Sequence, residues 1–173
     1  MQNLKLLKLN YMSLSEHYKE FPRRLRWLSW RNCSLRSIPG DFPLENIVVI
    51  DIRYNSLKQL WKGVKVHYPN IEKLILKDCV KLELIHESIC VVKYISLLNL
   101  KGCKSLRNLP KNMGAMKSLK TLDISGCLTL QWVPMQLTDE LDFSKLRFQS
   151  WRNSFVSCIL HMISFPISIL ISN

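Results

Sequence analysis

Between residues 95 and 134 the apolar side chains fall in the same places twice. Ile95, Leu98, Leu100, Cys103, Leu106, Leu109 and Pro110 are answered, 24 residues later, by Leu119, Leu122, Ile124, Cys127, Leu130, Val133 and Pro134. The shared pattern is L-x-x-L-x-L-x-x-C-x-x-L-x-x-L-P. Its fourth and sixth positions alternate as in a strand, so Leu98 and Leu100 are predicted to face a core while Leu97, Asn99 and Lys101 face outward. One coil cannot bury its four or five aliphatic side chains alone. Coils must stack, and their strands then add edge to edge into a parallel sheet.

Sliding the pattern along the chain gives coil starts near Leu4, Leu25, Ile47, Ile71, Ile95, Leu119 and Phe143, spaced by 21, 22, 24, 24, 24 and 24 residues. A period in the twenties predicts a leucine-rich repeat solenoid, an α/β fold with a curved parallel sheet on the concave side and short helices or irregular segments on the convex side. Ile89 with Val92, and Met113 with Met116, stand three residues apart in the return segments and predict short helices there. Trp30 takes an inward position that is aliphatic in the other coils, so its coil must be locally wide. Asn55 fills the slot held by Cys33, Cys79, Cys103 and Cys127, where an inward side chain beside backbone groups has to satisfy them.

The repeat domain is assigned to residues 1–151. The remainder, 152–173, reads as an apolar tail without a charged residue after Arg152. Within it, 155–171 is the only candidate for a membrane anchor, and its length and Pro166 argue against one, since spans need about 20 apolar residues. The start at Met1 is already in repeat register, which reads as a solenoid entered without a cap and suggests a piece of something longer.

The net charge of +12 raises the question of an anionic partner. Arg31, Arg53, Lys77 and Lys101 fall in one outward column between Asn10 and Ser125, with Trp27, Tyr54 and Tyr11 beside it and Leu6, Val49, Ile75 and Leu97 in the column on the other side. Trp, Tyr and Arg are the side chains most enriched at protein-protein hot spots, so Trp27, Arg31, Arg53, Tyr54, Lys77 and Lys101 are the candidate protein-binding residues. Reversing the charge of Arg31 and Arg53 together is expected to weaken the partner contact without unfolding the chain. No nucleic-acid module is visible, and nucleic acid is not an expected partner.

Each repeat cysteine is alone in its unit, unlike the local pairs of zinc sites, and is read as a buried structural thiol. His17, His67, His86 and His161 fall in unrelated phases, and no nucleophile and base can be paired. No catalytic, metal or cofactor residue is assigned, and the chain is not read as an enzyme.

The stretches Leu25-Arg-Trp-Leu-Ser-Trp-Arg-Asn-Cys-Ser-Leu-Arg-Ser-Ile-Pro and Leu57-Lys-Gln-Leu-Trp-Lys-Gly, with Pro69-Asn-Ile-Glu-Lys-Leu, make residues 2–133 resemble the leucine-rich repeat region of plant intracellular disease resistance receptors, those with Toll/interleukin-like and nucleotide-binding domains. The resemblance implies a cytoplasmic protein, with the nucleus as a second compartment. It implies effector recognition and autoinhibition in the defence response, and as partners a receptor's nucleotide-binding domain, a pathogen effector or a guarded host protein. The family often has a further coil where this chain has only Val64 to Tyr68. No G-x-x-x-x-G-K-[ST] phosphate loop occurs, so nucleotide binding is not carried over. The alternatives are a truncated or non-functional receptor fragment and a generic repeat adaptor such as a ubiquitin-ligase substrate receptor.

Overall fold

The computed structural model describes residues 3–12, 20–34, 36–39, 42–62 and 70–131. The coil predicted near Phe143, the tail 152–173 and the Val64 to Tyr68 segment lie outside these residues. Eight strands occur among the described residues: β1 (Leu6–Asn10), β2 (Trp27–Arg31), β3 (Ile38–Pro39), β4 (Val49–Asp51), β5 (Trp61–Lys62), β6 (Lys73–Ile75), β7 (Leu97–Asn99) and β8 (Thr121–Asp123).

The repeat register becomes the sheet register. Strands β1, β2, β4, β6, β7 and β8 form a six-stranded sheet in that order, every pair parallel. Leu7, Leu28, Ile50, Leu74, Leu98 and Leu122, all at the fourth pattern position, pair in succession across it. Strand β4 pairs directly with β6, with Val49 opposite Lys73, so no coil stands between the third and the fourth.

Behind the sheet, the first, fourth, sixth and ninth positions line a continuous core. Leu25, Ile47, Ile71 and Ile95 are fully buried there, as are Leu74, Leu76, Leu98 and Leu100. Each contributes roughly 1.5–3 kcal/mol by leaving water, and none could do so in an isolated coil. Trp30 is accommodated as expected. Phe21 stacks on it at 5.8 Å and Phe42 tilts against it at 6.1 Å, filling the widened coil, while its indole N–H donates to the Met12 carbonyl at 2.9 Å.

A second run of inter-coil bonds joins the ends of the coils. Lys58 N donates to Arg36 O, Glu83 N to Lys58 O, Arg107 N to Glu83 O and Gln131 N to Arg107 O, at 2.7 to 3.3 Å. Strands β3 and β5 pair in parallel along the same line. The predicted short helices are 3-10 turns, at Glu87–Val91 and Met113–Ala115. Ile89, Val92, Met113 and Met116 are all buried, as their spacing requires. Glu87 ties these turns together by accepting from Lys111 N at 2.6 Å and Asn112 N at 3.1 Å in the next coil.

Candidate protein-binding face

Alternation along the strands places the third, fifth and seventh pattern positions on the outer side of the sheet. Pairing fixes which residues are neighbours across it. The third-position column is Leu6, Trp27, Val49, Lys73, Leu97, Thr121, and the fifth is Lys8, Ser29, Asp51, Ile75, Asn99, Asp123. Ile75 therefore lies beside Asp51 and Asn99, not in a column with Val49 and Leu97 as read from sequence. Trp27 belongs to the Leu6 and Val49 column, four residues along its strand from Arg31 with Ser29 between them, and does not stand beside Tyr54.

The seventh-position cations are not four equivalent free charges. Arg31 donates to Asp51 Oδ2 from Nε at 3.1 Å and from Nη2 at 2.5 Å. Arg53 donates from Nε to Oδ1 at 2.8 Å and from Nη2 to Oδ2 at 2.9 Å. The Asp51 side chain is 2% exposed, those of Arg31 and Arg53 38% and 27%. Burial works to raise the Asp51 carboxyl, but the hydrogen bonds from Arg53 and Arg31 outweigh it and hold the group below the usual carboxylate range. The same carboxylate raises the Arg53 guanidinium above its ordinary value. Lys77 lies 3.9 Å from Asp78, and Lys101 continues the column.

Asp51 was missed as part of this face, although its signal recurs. At Asp51-Ile-Arg53, Asn99-Leu-Lys101 and Asp123-Ile-Ser125, the first side chain accepts from the backbone N–H two residues on, at 3.5, 3.0 and 3.1 Å. Such local acceptor turns are typical of Asp and Asn.

The eighth position turns the chain out of each strand. Tyr11, Asn32, Tyr54, Asp78, Gly102 and Gly126 all have positive φ, between 54° and 73°. Gly, Asn and Asp adopt this conformation readily, whereas a tyrosine is held there at a cost of about 1–2 kcal/mol. Tyr54 is nevertheless 45% exposed, and Tyr11 81%.

Inside, three of the ninth-position thiols donate to a carbonyl of the preceding coil, Cys79 to Ile52, Cys103 to Leu76 and Cys127 to Leu100, at 3.2, 3.3 and 3.2 Å, whereas the Cys33 thiol donates to Asn55 Oδ1 of the following coil at 2.6 Å. Burial pushes Cys79 up to about 12 and Cys127 to about 11. These are structural thiols, as read from the sequence. Among the described residues no group of acids, histidines and cysteines is arranged to hold a metal ion, and no helix is long and apolar enough to cross a membrane.

No protein-family model matches the chain. It is 35% identical over 66 residues to disease resistance protein RPP5 of Arabidopsis thaliana, a match covering 36% of this chain and 5% of that protein. To disease resistance protein RPV1 of Vitis rotundifolia it is 31% identical over 100 residues, covering 45% of this chain and 7% of that one. Its curated relatives are plant disease resistance proteins. The resemblance drawn from residues 25–39 and 57–63 to receptors with Toll/interleukin-like and nucleotide-binding domains therefore holds. The chain matches only a small part of the length of these resistance proteins. Among solved structures, the leucine-rich repeat domain of the type III effector XCV3220 (XopL) superposes with a TM-score of 0.56 at 26% identity, covering 72% of this chain and 40% of that one. The architecture is a leucine-rich repeat solenoid, a scaffold suited to protein contacts, and its resistance-protein relatives point to protein partners.

Proposed function

We propose that this chain is the protein-binding leucine-rich repeat module of a plant disease resistance receptor, acting in effector recognition and in autoinhibition from the cytoplasm or nucleus. Its partners are a receptor's nucleotide-binding domain, which the module holds off, and a pathogen effector or guarded host protein that shifts the balance. The repeat domain extends over 1–151, with 152–173 a separate tail. The binding residues are Trp27, Arg31, Arg53, Tyr54, Lys77 and Lys101.

The observation that carries this reading is Tyr54. A left-handed residue with φ of 61° is an inexpensive place for Gly or Asn, yet it holds a large aromatic, half-exposed, directly after Arg53. Trp27, 43% exposed, offers a second aromatic on the same wall. Aromatics beside arginine are the usual anchors of protein interfaces.

Reversing Arg31 and Arg53 is not a clean test, contrary to the sequence-based expectation. It would set two new carboxylates over a buried one, and breaking a buried pair costs about 3–5 kcal/mol. Trp27→Ala and Lys101→Glu leave the Asp51 contacts intact. Each is expected to weaken binding to a resistance receptor's nucleotide-binding domain about tenfold, measured by calorimetry, with an unchanged unfolding midpoint. Full affinity in both variants would place the contact on another surface.

A further inference from the structure

The Arg31, Asp51 and Arg53 group does more than balance charge. Each guanidinium meets Asp51 along its Nε and Nη2 edge, and among the described residues neither Nη1 is bonded to an acceptor. Arg31 ends β2 and Arg53 lies two residues past β4, both over one carboxylate, that of Asp51 at the end of β4, which is almost wholly out of water. Two cations over one anion leave a surplus of one positive charge, aimed outward from partly exposed heads.

We propose that Arg31 and Arg53, held in place by Asp51, form a double-guanidinium receptor for a carboxylate side chain in an acidic segment of the protein partner. This rests on the reading that the sheet face binds protein. An arginine presents its donors as a planar fork suited to carboxylates, and a fork already fixed by packing loses little freedom when it binds. Asp51 thereby acts as a positioning residue: it supplies no contact to the partner but sets the direction of both forks. Tyr54 follows Arg53 directly and Trp27 is exposed at the other end of β2, which suits an acidic segment that also carries apolar side chains.

A nucleic acid fits less well. Its backbone needs a run of cations matched to successive phosphates, and here Asp123 in the fifth column and Asp78 after β6 interrupt the run, with Asp78 within 3.9 Å of Lys77. An acidic protein segment requires only a local match.

The test uses the full chain and fluorescence anisotropy with three probes: a labelled peptide of alternating Glu and Leu, its Gln and Leu counterpart, and a single-stranded oligonucleotide of equal charge. The Glu peptide is expected to bind at least tenfold tighter than the other two. Titrating it should move the Arg31 and Arg53 Nε resonances in nitrogen-15 spectra, a readout that needs no variant. Arg31→Lys with Arg53→Lys keeps the formal charge but loses the forks, and should cost about tenfold. Asp51→Asn makes the face one unit more positive, so a merely electrostatic stripe would bind the Glu peptide more tightly, whereas a positioned receptor binds it several-fold more weakly. Unmoved Nε resonances, unchanged affinity in the lysine pair, tighter binding by Asp51→Asn, or preference for the oligonucleotide would each overturn the receptor. If Trp27→Ala weakens peptide binding while the lysine pair does not, the face stands and the receptor falls; if neither weakens it, the face falls too.

Discussion

Replacing Asn55 should unravel the junction between the second and third coils in a graded way. The side chain is 2% exposed and serves several backbone groups. Its amide donates to Trp30 O and Ile52 O at 2.7 Å each, and its oxygen accepts from Cys33 N at 2.8 Å. In Asn55→Ala, Ile52 O keeps the Cys79 thiol at 3.2 Å, but Cys33 N–H and Trp30 C=O lose their Asn55 partners inside the core. At about 1–3 kcal/mol for each buried group left unmade, the loss is about 2–6 kcal/mol. Asn55→Cys should lose roughly half of that. Its thiol can reach Trp30 O as Cys79, Cys103 and Cys127 reach the carbonyls one coil back, but it offers Cys33 N–H only a weak acceptor. Cys103→Ala, which removes one weak thiol bond, should cost about 1 kcal/mol. Urea unfolding followed by the fluorescence of Trp30 would order the variants. Equal midpoints for Asn55→Ala and Asn55→Cys would refute the argument that unmet backbone groups, rather than lost volume, set the cost.

Acid should dismantle the Asp51 group. Because its folded carboxyl lies below the ordinary 3.8, the stabilisation is fully present above that value and is lost as pH falls through the lower folded one. Urea midpoints of the wild type should therefore drop more steeply than those of Asp51→Asn as pH falls below the ordinary carboxyl value, and parallel curves would contradict the clamp. Gly126→Ala should cost about 1–2 kcal/mol through its φ of 73° alone, its nearest outside neighbours being 3.5 Å from the new methyl. Gly102→Ala should cost more, because its Cβ would run into Asp78 Oδ1 and push that side chain aside; a smaller cost than at Gly126 would show the left-handed column to be misjudged. Burial pushes Cys79 to about 12 and both Cys90 and Cys127 to about 11, so peptide mapping after native thiol labelling at pH 8 should find them unmodified until urea is added. Fast native labelling of Cys79 would mean the core is open.

The coils were legible in the sequence because their signal is local and repeated. Leucines at fixed spacing named the inward positions, and Ile89 with Val92 marked a buried face within a single return segment. The binding face was legible only in part. That Arg31 and Arg53 share an acid depends on which residues of β2 and β4 lie opposite, and this is a property of pairing between coils. Ile75 was misplaced for the same reason, by a step of two along its strand. The positive-φ column carried a sequence signal in Asn32, Asp78, Gly102 and Gly126, but Tyr11 and Tyr54 at equivalent positions concealed it, since no propensity places a tyrosine there.

Each junction in the sheet repeats one register, third position to third and fourth to fourth, including that between β4 and β6. Coils joined in this way are interchangeable parts. Gain or loss of one whole unit presents the same faces to its new neighbours, while loss of a single residue within a strand turns its leucines toward water. Such a molecule can be lengthened, shortened or reshuffled by unequal exchange and still close its core, so new combinations of surface residues arise without a new fold having to be found.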